Sequence, residues 1–273
     1  SWTFHDNAMN FNHQPPLVHR MLATWLGLDP EKLPFDDYLF YSALLQAEGL
    51  KEYADNFRRR MFSSSSAIFW MYNDSWPASH GWTIVDYYLR RKLAYHPVRR
   101  AFQPVTAIPA IESDDVIVFG VNDTNSPWAG QVRFGIARLA GGLPLDRTAE
   151  ALIPANSSVE LAHIPISQWR QAGTDQSVAF ALLAKDGTAV AQNRIFIERF
   201  REMKWAKPEI SVRRDGAFAV FASPQFAWCV ALDLDGERPL PDNAFDLLPG
   251  IEYRVPWAHS EPLPRVIRVG NPV

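Results

Sequence analysis

The first hundred residues show a helical pattern, then a buried-strand pattern, then a second helical pattern. Apolar residues recur every three or four positions over residues 36–61, which predicts an amphipathic helix. Residues 67–72 are apolar without alternation, and this predicts a strand that is buried on both faces. Residues 91–102 predict a second helix that begins or kinks at Pro97. This order of elements is typical of an α/β layer that is incomplete.

From residue 116 onward, short segments of alternating apolar and polar residues are separated by turn residues such as Asp186-Gly187. The pattern predicts two consecutive β-sandwiches, joined by a charged linker at residues 198–207. The predicted strands of the first sandwich are 116–121, 131–139, 157–164, 177–184 and 189–196. Those of the second are 210–213, 217–221, 228–234, 253–255 and 265–269.

Composition and charge disfavour several classes of function. The 273 residues are 47% hydrophobic and 21% charged, which is enough to bury a core. A net charge of −3 lacks the basic surplus of a nucleic-acid-binding protein. No apolar run approaches the ~20 residues of a membrane span. The single cysteine, Cys229, excludes an internal disulfide framework, and it leaves a cytoplasmic and a periplasmic or secreted location equally open.

Four groups of short motifs stand in order along the chain. Residues 69–77 read FWMYNDSWP and are followed by Asp-Tyr-Tyr at 86–88. The others are 44–48 with 58–60 upstream, 122–123 with 154–158 downstream, and 242–250 near the end. Together they resemble glycoside hydrolase family 2, most closely its β-mannosidase branch. In that branch the last barrel strand carries an Asn-Asp-x-Trp-Pro sequence, and the later motifs belong to C-terminal sandwiches.

The resemblance implies a multidomain α/β plus all-β protein. Residues 1–105 would be the C-terminal remnant of a (β/α)8 barrel, residues 106–202 an immunoglobulin-like β-sandwich and residues 203–273 a second one. A whole barrel takes about 250 residues. We therefore expect the other barrel strands in a missing N-terminal part of the same polypeptide, and the start at Ser1 rather than methionine agrees with a trimmed segment.

The resemblance also implies a retaining mechanism with two catalytic glutamates, one in an Asn-Glu pair and one in a Ser-Glu-Phe type motif. This chain has no Asn-Glu pair, and its Ser260-Glu261 precedes a proline in the last predicted sandwich. We therefore expect no catalytic residue within the chain and no activity of the chain alone. Glu48 and Glu52 lie four residues apart on the first helix, where a solvated face is expected. No cofactor and no metal are expected.

Asn73, Asp74 and Trp76 are the candidate substrate-binding residues. Residues at the C-terminal end of a barrel strand face the active site. By resemblance, Trp76 would stack on the cleaved sugar of a β-mannoside or related β-glycoside, while Asn73 and Asp74 grip its hydroxyl groups. The alternative is that Trp76-Pro77 is a packing corner and that Asp74 caps the following turn. His5 and Asp6 are weaker candidates near the sugar, and the spacing of the early histidines matches no zinc pattern.

Two other functions stay open at this point. The sandwiches can form a non-catalytic carbohydrate-binding or structural module, and another chain can supply the remaining barrel strands of a split enzyme. A binding module predicts exposed tryptophans, whereas tryptophans that plug a core or an interdomain seam favour a structural role. The tryptophans concerned are Trp128, Trp169, Trp205, Trp228 and Trp257.

Overall fold

The computed structural model describes residues 16–78 and 81–272. Its N-terminal part is helical and begins with α1 (Pro16–Met21), which continues into a π-helical turn (Leu22–Leu26). Gly27 ends that turn in the left-handed region with φ 69°, a conformation that glycine adopts without strain. Two further helices follow, α2 (Phe35–Arg58) and α3 (Tyr95–Ala101).

Helix α2 confirms the helix predicted from the apolar repeat, although it ends at Arg58. Leu44, Ala47 and Ala54 lie on its buried face. Helix α3 is shorter than the predicted segment, and Pro97 lies in its first turn. Proline is tolerated there because the first amide groups of a helix have no partner within the helix.

Within the described residues the apolar run at 67–72 is not buried on both faces, so this part of the prediction is wrong. The segment is extended but joins no sheet among the described residues, and Ile68 and Trp70 are 78% and 71% exposed. Two of its carbonyls are held: that of Ile68 accepts a hydrogen bond from the Tyr53 hydroxyl at 2.8 Å, and that of Tyr72 accepts hydrogen bonds from two backbone amides. A strand is buried by its neighbours, and the described chain places none beside this segment.

The first β-sandwich consists of two antiparallel sheets, β1-β2-β5 and β4-β3-β6-β7. Buried side chains from both sheets meet between them, among them Val118, Ile136 and Trp169. The strands are β1 (Val105–Glu112), β2 (Asp115–Asn122), β3 (Trp128–Arg138), β4 (Leu145–Ile153), β5 (Ser157–Pro165), β6 (Ser177–Lys185) and β7 (Thr188–Ile195), with helix α4 (Ile166–Ala172) after β5. Sequence patterning found these strands except β1 and β4. Strand β4 was missed because most of its residues are exposed and its first half is largely polar.

The second β-unit is smaller. It contains a three-stranded antiparallel sheet, β12-β9-β8, and a pair, β10-β11. Phe221, Phe245 and Trp257 lie in its core. Its strands are β8 (Ser211–Asp215), β9 (Phe218–Ala222), β10 (Ala227–Val230), β11 (Phe245–Leu247) and β12 (Tyr253–Pro256). The strand predicted at 265–269 is present only as an isolated bridge between Ala231 and Arg268.

One apolar cluster joins the helices to both β-units. It includes Leu44 of α2, Phe180 of β6 and Trp228 of β10. The charged segment predicted as a linker contributes too, because Phe200 and Met203 are buried in this cluster. Trp205 stacks in parallel on Trp228 with ring centroids 5.0 Å apart. The segment is therefore a packed seam and not a free linker.

Candidate functional site

The residues predicted to bind substrate lie on one loop that follows the extended segment. Asn73 forms a parallel bridge with Val85, and the amide of Asp74 donates to the Val85 carbonyl at 3.1 Å. The amide of Lys92 donates in turn to the Ile84 carbonyl at 3.0 Å. Three separate stretches of chain therefore hold the base of the loop.

The Asp74 carboxylate is held within the protein. Its Oδ2 accepts a hydrogen bond from Thr83 Oγ1 at 2.8 Å and one from Lys92 Nζ at 2.8 Å. Lys92 Nζ also donates to Thr83 Oγ1 at 2.5 Å. We call these three residues the Asp74 triad. The contacts made by Oδ2 anchor the loop. The sequence had suggested either sugar binding or capping of the following turn for Asp74, and neither includes this role.

Asn73 and Trp76 are directed more toward solvent than Asp74. Trp76 is 50% exposed, and Asn73 is exposed with its Nδ2 donating to the Asp74 carbonyl at 3.3 Å. An exposed indole on an ordered loop can stack on the apolar face of a sugar ring, and an exposed amide can bond its hydroxyl groups. The structure thus brings the three candidates onto one loop, and their contact with sugar stays a prediction.

A tight turn lies next to this loop. Asp86 accepts hydrogen bonds from the Arg90 amide at 2.8 Å and from Arg90 Nε at 2.6 Å. These contacts close the turn, whose tip carries the exposed Tyr87 and Tyr88 of the Asp-Tyr-Tyr motif. Asp86, the first residue of this motif, therefore has a structural role in closing the turn. His5 and Asp6, the weaker candidates for a place near the sugar, lie outside the described residues.

A buried charge centre lies where α2 and the two β-units meet. Arg194 of β7 makes a bidentate ion pair with Glu48, with Nη1 donating to Oε2 at 2.8 Å, and its Nε lies 2.9 Å from Asp246 Oδ2. Trp228 Nε1 donates to Glu48 Oε1 at 2.8 Å. Glu48 is therefore not on a solvated face as expected, whereas Glu52 is exposed and bonds to Asn56.

The charge centre shifts the titration of Glu48. Burial by itself raises the pKa of this carboxyl, but the Arg194 charge and its hydrogen bonds outweigh burial and lower the pKa below its ordinary value. A cavity of about 40 Å³ lies beside it. This is far smaller than the roughly 300 Å³ or more of a ligand pocket, so the cavity does not suit a sugar ring.

A second polar cluster joins helix α3 to the motif at residues 242–250. Arg100 pairs with Asp242 and donates to the carbonyls of Asn243 and Ala244. Tyr253 donates its hydroxyl to Asp242 Oδ2 at 2.6 Å. Burial by itself raises the pKa of Asp242. The positive charge of Arg100 more than offsets this effect, so the pKa of Asp242 lies well below its usual range. This motif therefore docks the second β-unit onto the helices.

The two remaining motif groups connect α2 to the first sandwich. Arg58 forms an ion pair with Asp123 at 2.6 Å, and Arg59 forms one with Glu112. Ser158 Oγ donates to the Arg59 carbonyl at 2.8 Å. Asn122 is fully buried and bonds to the carbonyls of residues 126, 153 and 154. These motif residues hold the parts of the protein together and do not line an open site.

The sandwich tryptophans do not form an exposed row. Trp169, Trp228 and Trp257 are buried in cores, and Trp128 and Trp205 are partly buried. Within residues 16–78 and 81–272, no group of three histidine, cysteine, aspartate or glutamate side chains has metal-site geometry. In the same ranges, no helix has the length and apolar character needed to cross a bilayer.

Comparison with known proteins matches the first sandwich to a described domain family. Residues 114–202 match the family model of the Mannosidase Ig/CBM-like domain. β-Mannosidase B of Aspergillus niger is 23% identical over 272 residues, which is 90% of this chain and 32% of the relative. β-Mannosidase B of Thermothelomyces thermophilus is 36% identical over 108 residues, which is 37% of this chain and 12% of the relative.

Solved structures show the same arrangement of parts. The crystal structure of a β-D-mannosidase from Dictyoglomus thermophilum superposes with a TM-score of 0.83 and 25% identity, covering 95% of this chain and 31% of that one. An exo-chitosanase from Amycolatopsis orientalis shares the fold with a TM-score of 0.66 and 17% identity, covering 92% and 35%. The chain thus spans about a third of the length of the relatives that match most of it.

Proposed function

We propose that this chain, which is the C-terminal portion of a glycoside hydrolase family 2 enzyme of the β-mannosidase type, completes the active-site face of a retaining exo-β-glycosidase. The enzyme would remove terminal β-linked sugars, with a β-mannoside as the first substrate to test. The observation that carries this proposal is the ordered loop that presents Trp76 and Asn73, within a chain that resembles β-mannosidases along 90% or more of its length.

The loop suits a sugar-binding role on physical grounds. The indole of Trp76 is half exposed, and its loop is anchored by the Asp74 triad and the bridge to Val85. A rigid aromatic surface stacks on the C–H face of a sugar with little loss of conformational entropy. In the proposal Trp76 forms the floor of the subsite for the cleaved sugar, and Asn73 bonds its hydroxyl groups.

The exposed segment before the loop has the properties of a strand that pairs with other strands outside this chain. Residues 67–72 are extended, and Ile68 and Trp70 are among the most exposed large apolar side chains of the described residues. Large apolar side chains exposed in this way mark a site of contact, and an extended segment that joins no described sheet can pair with a neighbouring strand. We assign the segment as a strand of a (β/α)8 barrel whose other strands lie in an N-terminal part of the same polypeptide.

Catalysis would then need residues from outside this chain. The two carboxylates of a retaining glycosidase lie about 5–5.5 Å apart in an open site. Helix α2 carries two glutamates, Glu48 and Glu52. Glu48 is buried in an ion pair with Arg194 and is not part of an open site. The proposal places both catalytic glutamates upstream, and the chain alone is then inactive.

The test compares this chain with a polypeptide that includes the sequence encoded upstream of Ser1. We expect the longer protein to hydrolyse an aryl β-mannoside and the chain alone not to. In the longer protein, Trp76→Ala should raise KM or lower kcat/KM by about 10-fold or more, since a lost stacking contact is worth about 1.4 kcal/mol or more. Trp25→Ala, at a half-exposed indole on the π-helical turn, is the matched control.

Turnover by the chain alone at an enzyme-like rate would overturn the placement of the catalytic residues. An upstream start codon with no further coding sequence would point instead to a split enzyme, in which a second chain supplies the barrel strands. A sedimentation profile of a stable monomer in the absence of any partner would count against that arrangement.

A second candidate function is a carbohydrate-binding module. It is favoured by the match of residues 114–202 to a domain family described as Ig/CBM-like. Titration of the chain with manno-oligosaccharides, followed by tryptophan fluorescence, tests it directly. A saturable change that persists in Trp76→Ala would place the binding on the sandwiches, and no saturable change would argue against a binding module.

A further inference from the structure

We propose that Thr83 and Lys92 are positioning residues that set the placement of Trp76 by holding Asp74. The proposal rests on the proposed function, because it assigns these residues to the loop that would contact the sugar. It concerns two residues that lie outside the sequence motifs.

The contacts of the Asp74 triad form a closed triangle. Lys92 Nζ reaches both Asp74 Oδ2 and Thr83 Oγ1, and Thr83 Oγ1 reaches Asp74 Oδ2, all within 2.8 Å. The Asp74 side chain is only 10% exposed, and Thr83 is buried. A carboxylate at that depth requires hydrogen-bond donors and a nearby positive charge, so loss of either partner makes this position unfavourable for Asp74.

The triad is fixed to the helical scaffold at two points. Gln46 Nε2 of helix α2 donates to the Thr83 carbonyl at 3.2 Å. Lys92 lies just before helix α3, where its carbonyl accepts from the Tyr95 amide at 3.0 Å and its amide donates to Ile84. The two groups that hold the Asp74 carboxylate are therefore placed by α2 and α3, the same helices that dock both β-units.

Asp74 transmits this placement to Trp76 because only Ser75 separates them. The Asp74 backbone is held by Val85, and its side chain is held by the triad, so both the position and the direction of the chain are determined as it enters the loop. Precise placement matters in an active site, where a displacement of about 1 Å can cost about 100-fold in rate. Thr83 and Lys92 would thus act on substrate through Asp74 and Trp76.

The experiment follows the Trp76 indole in the chain by ¹H–¹⁵N NMR without sugar. Because the chain has ten tryptophans, the resonance is assigned by its loss in Trp76→Phe. We expect the Trp76 resonance to shift in Thr83→Val, which removes the hydroxyl at nearly constant shape, and in Lys92→Met. Thr83→Ser keeps the hydroxyl and should retain the wild-type position. The Trp169 indole, bonded to Ser177 in the first sandwich, should not move in any variant and serves as the internal reference.

An unchanged Trp76 resonance in folded Thr83→Val and Lys92→Met would overturn the proposal. If Thr83→Val fails to fold, Lys92→Met decides the question, because the Lys92 side chain is 27% exposed and its loss leaves the core intact. A different result would contradict the proposed function. If Trp76 moves in these variants while Trp76→Ala leaves the kinetics of the longer protein unchanged, the triad positions the loop but the loop does not bind sugar.

Discussion

At the scale of single residues, Arg194 connects helix α2 to both β-units. Its guanidinium pairs with Glu48 of α2 and Asp246 of β11, and it also lies over the ring of Phe196 with 4.6 Å to the ring centroid. The two carboxylates hold the pKa of Arg194 above its usual range against the opposing effect of burial. One guanidinium therefore pairs with two carboxylates that come from different parts of the fold.

Replacing Arg194 should be severely destabilising. Arg194→Met removes the positive charge and leaves Glu48 and Asp246 buried without it, which costs about 3–5 kcal/mol in the free energy of unfolding. Urea unfolding followed by fluorescence measures the change. Arg133→Met is the matched control, since Arg133 pairs with Asp146 on the exposed face of the first sandwich and its loss should cost about 1 kcal/mol or less. Equal losses in both variants would contradict the importance of burial.

Stability should fall with acid in two steps. Burial lowers the pKa of His96 below 6.5, with Asp242 opposing and Arg100 assisting, so the unfolded state binds this proton first and stability declines as pH falls below about 6.5. The pKa of Glu48 is lowered from 4.5 despite burial, because Arg194 stabilises the charged form. The stability that Glu48 contributes is therefore lost at lower pH, as the pH falls through the pKa of Glu48 in the folded state. Melting temperatures from pH 8 to 3 would show both steps, and His96→Gln should remove the upper one.

At the scale of elements, helix α2 contacts both β-units. Its buried face contributes Leu44 to the shared core, and its last turn sends Arg58 and Arg59 to the first sandwich. The glycine at position 49 lies on the exposed side of this helix, where an added Cβ would have no atom within 4 Å. A glycine there costs helix stability without any gain from close packing.

Two glycine substitutions should therefore have opposite effects. Gly49→Ala should stabilise the protein by about 0.5–1 kcal/mol, because alanine loses less backbone entropy in a helix. Gly135→Ala in strand β3 should destabilise it by about 1–3 kcal/mol or more, since the new Cβ would lie 1.8 Å from the Leu145 carbonyl oxygen. Thermal unfolding of the two variants measures both signs, and a destabilising Gly49→Ala would contradict the packing seen at α2.

At the scale of the whole molecule, the three parts share a junction, and an apolar segment of the described residues lies uncovered. The aromatic cluster around Trp228 and the two ionic clusters tie α2, α3 and both β-units together. The segment containing Ile68, Trp70 and Tyr72 instead lies open on the helical side. A surface of this kind promotes association in water.

The chain by itself should therefore self-associate as its concentration rises. The double variant Ile68→Ser, Trp70→Ser should reduce the association seen by sedimentation velocity, since it removes the apolar area that drives contact. Its stability should stay within about 0.5 kcal/mol of wild type because both side chains are exposed. Leu152→Ser, at a single exposed leucine of strand β4, should leave the association unchanged. Association that persists in the double variant would assign it to another surface.

Some elements of the fold could be predicted from the sequence and others could not. Helix α2 and most strands of the first sandwich followed from apolar spacing, because a repeat of 3.6 or 2 residues is a local property of the chain. The resemblance to β-mannosidases was confirmed by the comparisons. Strand β4 was missed because it is an edge strand whose exposed face is charged, so its apolar positions are too few to mark it.

The sequence by itself determined the order of the parts, the family and the loop that carries Asn73, Asp74 and Trp76. Tertiary structure alone decided which polar groups are buried and which apolar groups are not. Glu48 looked like a surface carboxylate until Arg194, 146 residues away, was placed against it. Residues 67–72 looked like a buried strand, yet no described strand covers them. Burial is a property of contacts between distant segments, and local spacing records only what one segment offers to them.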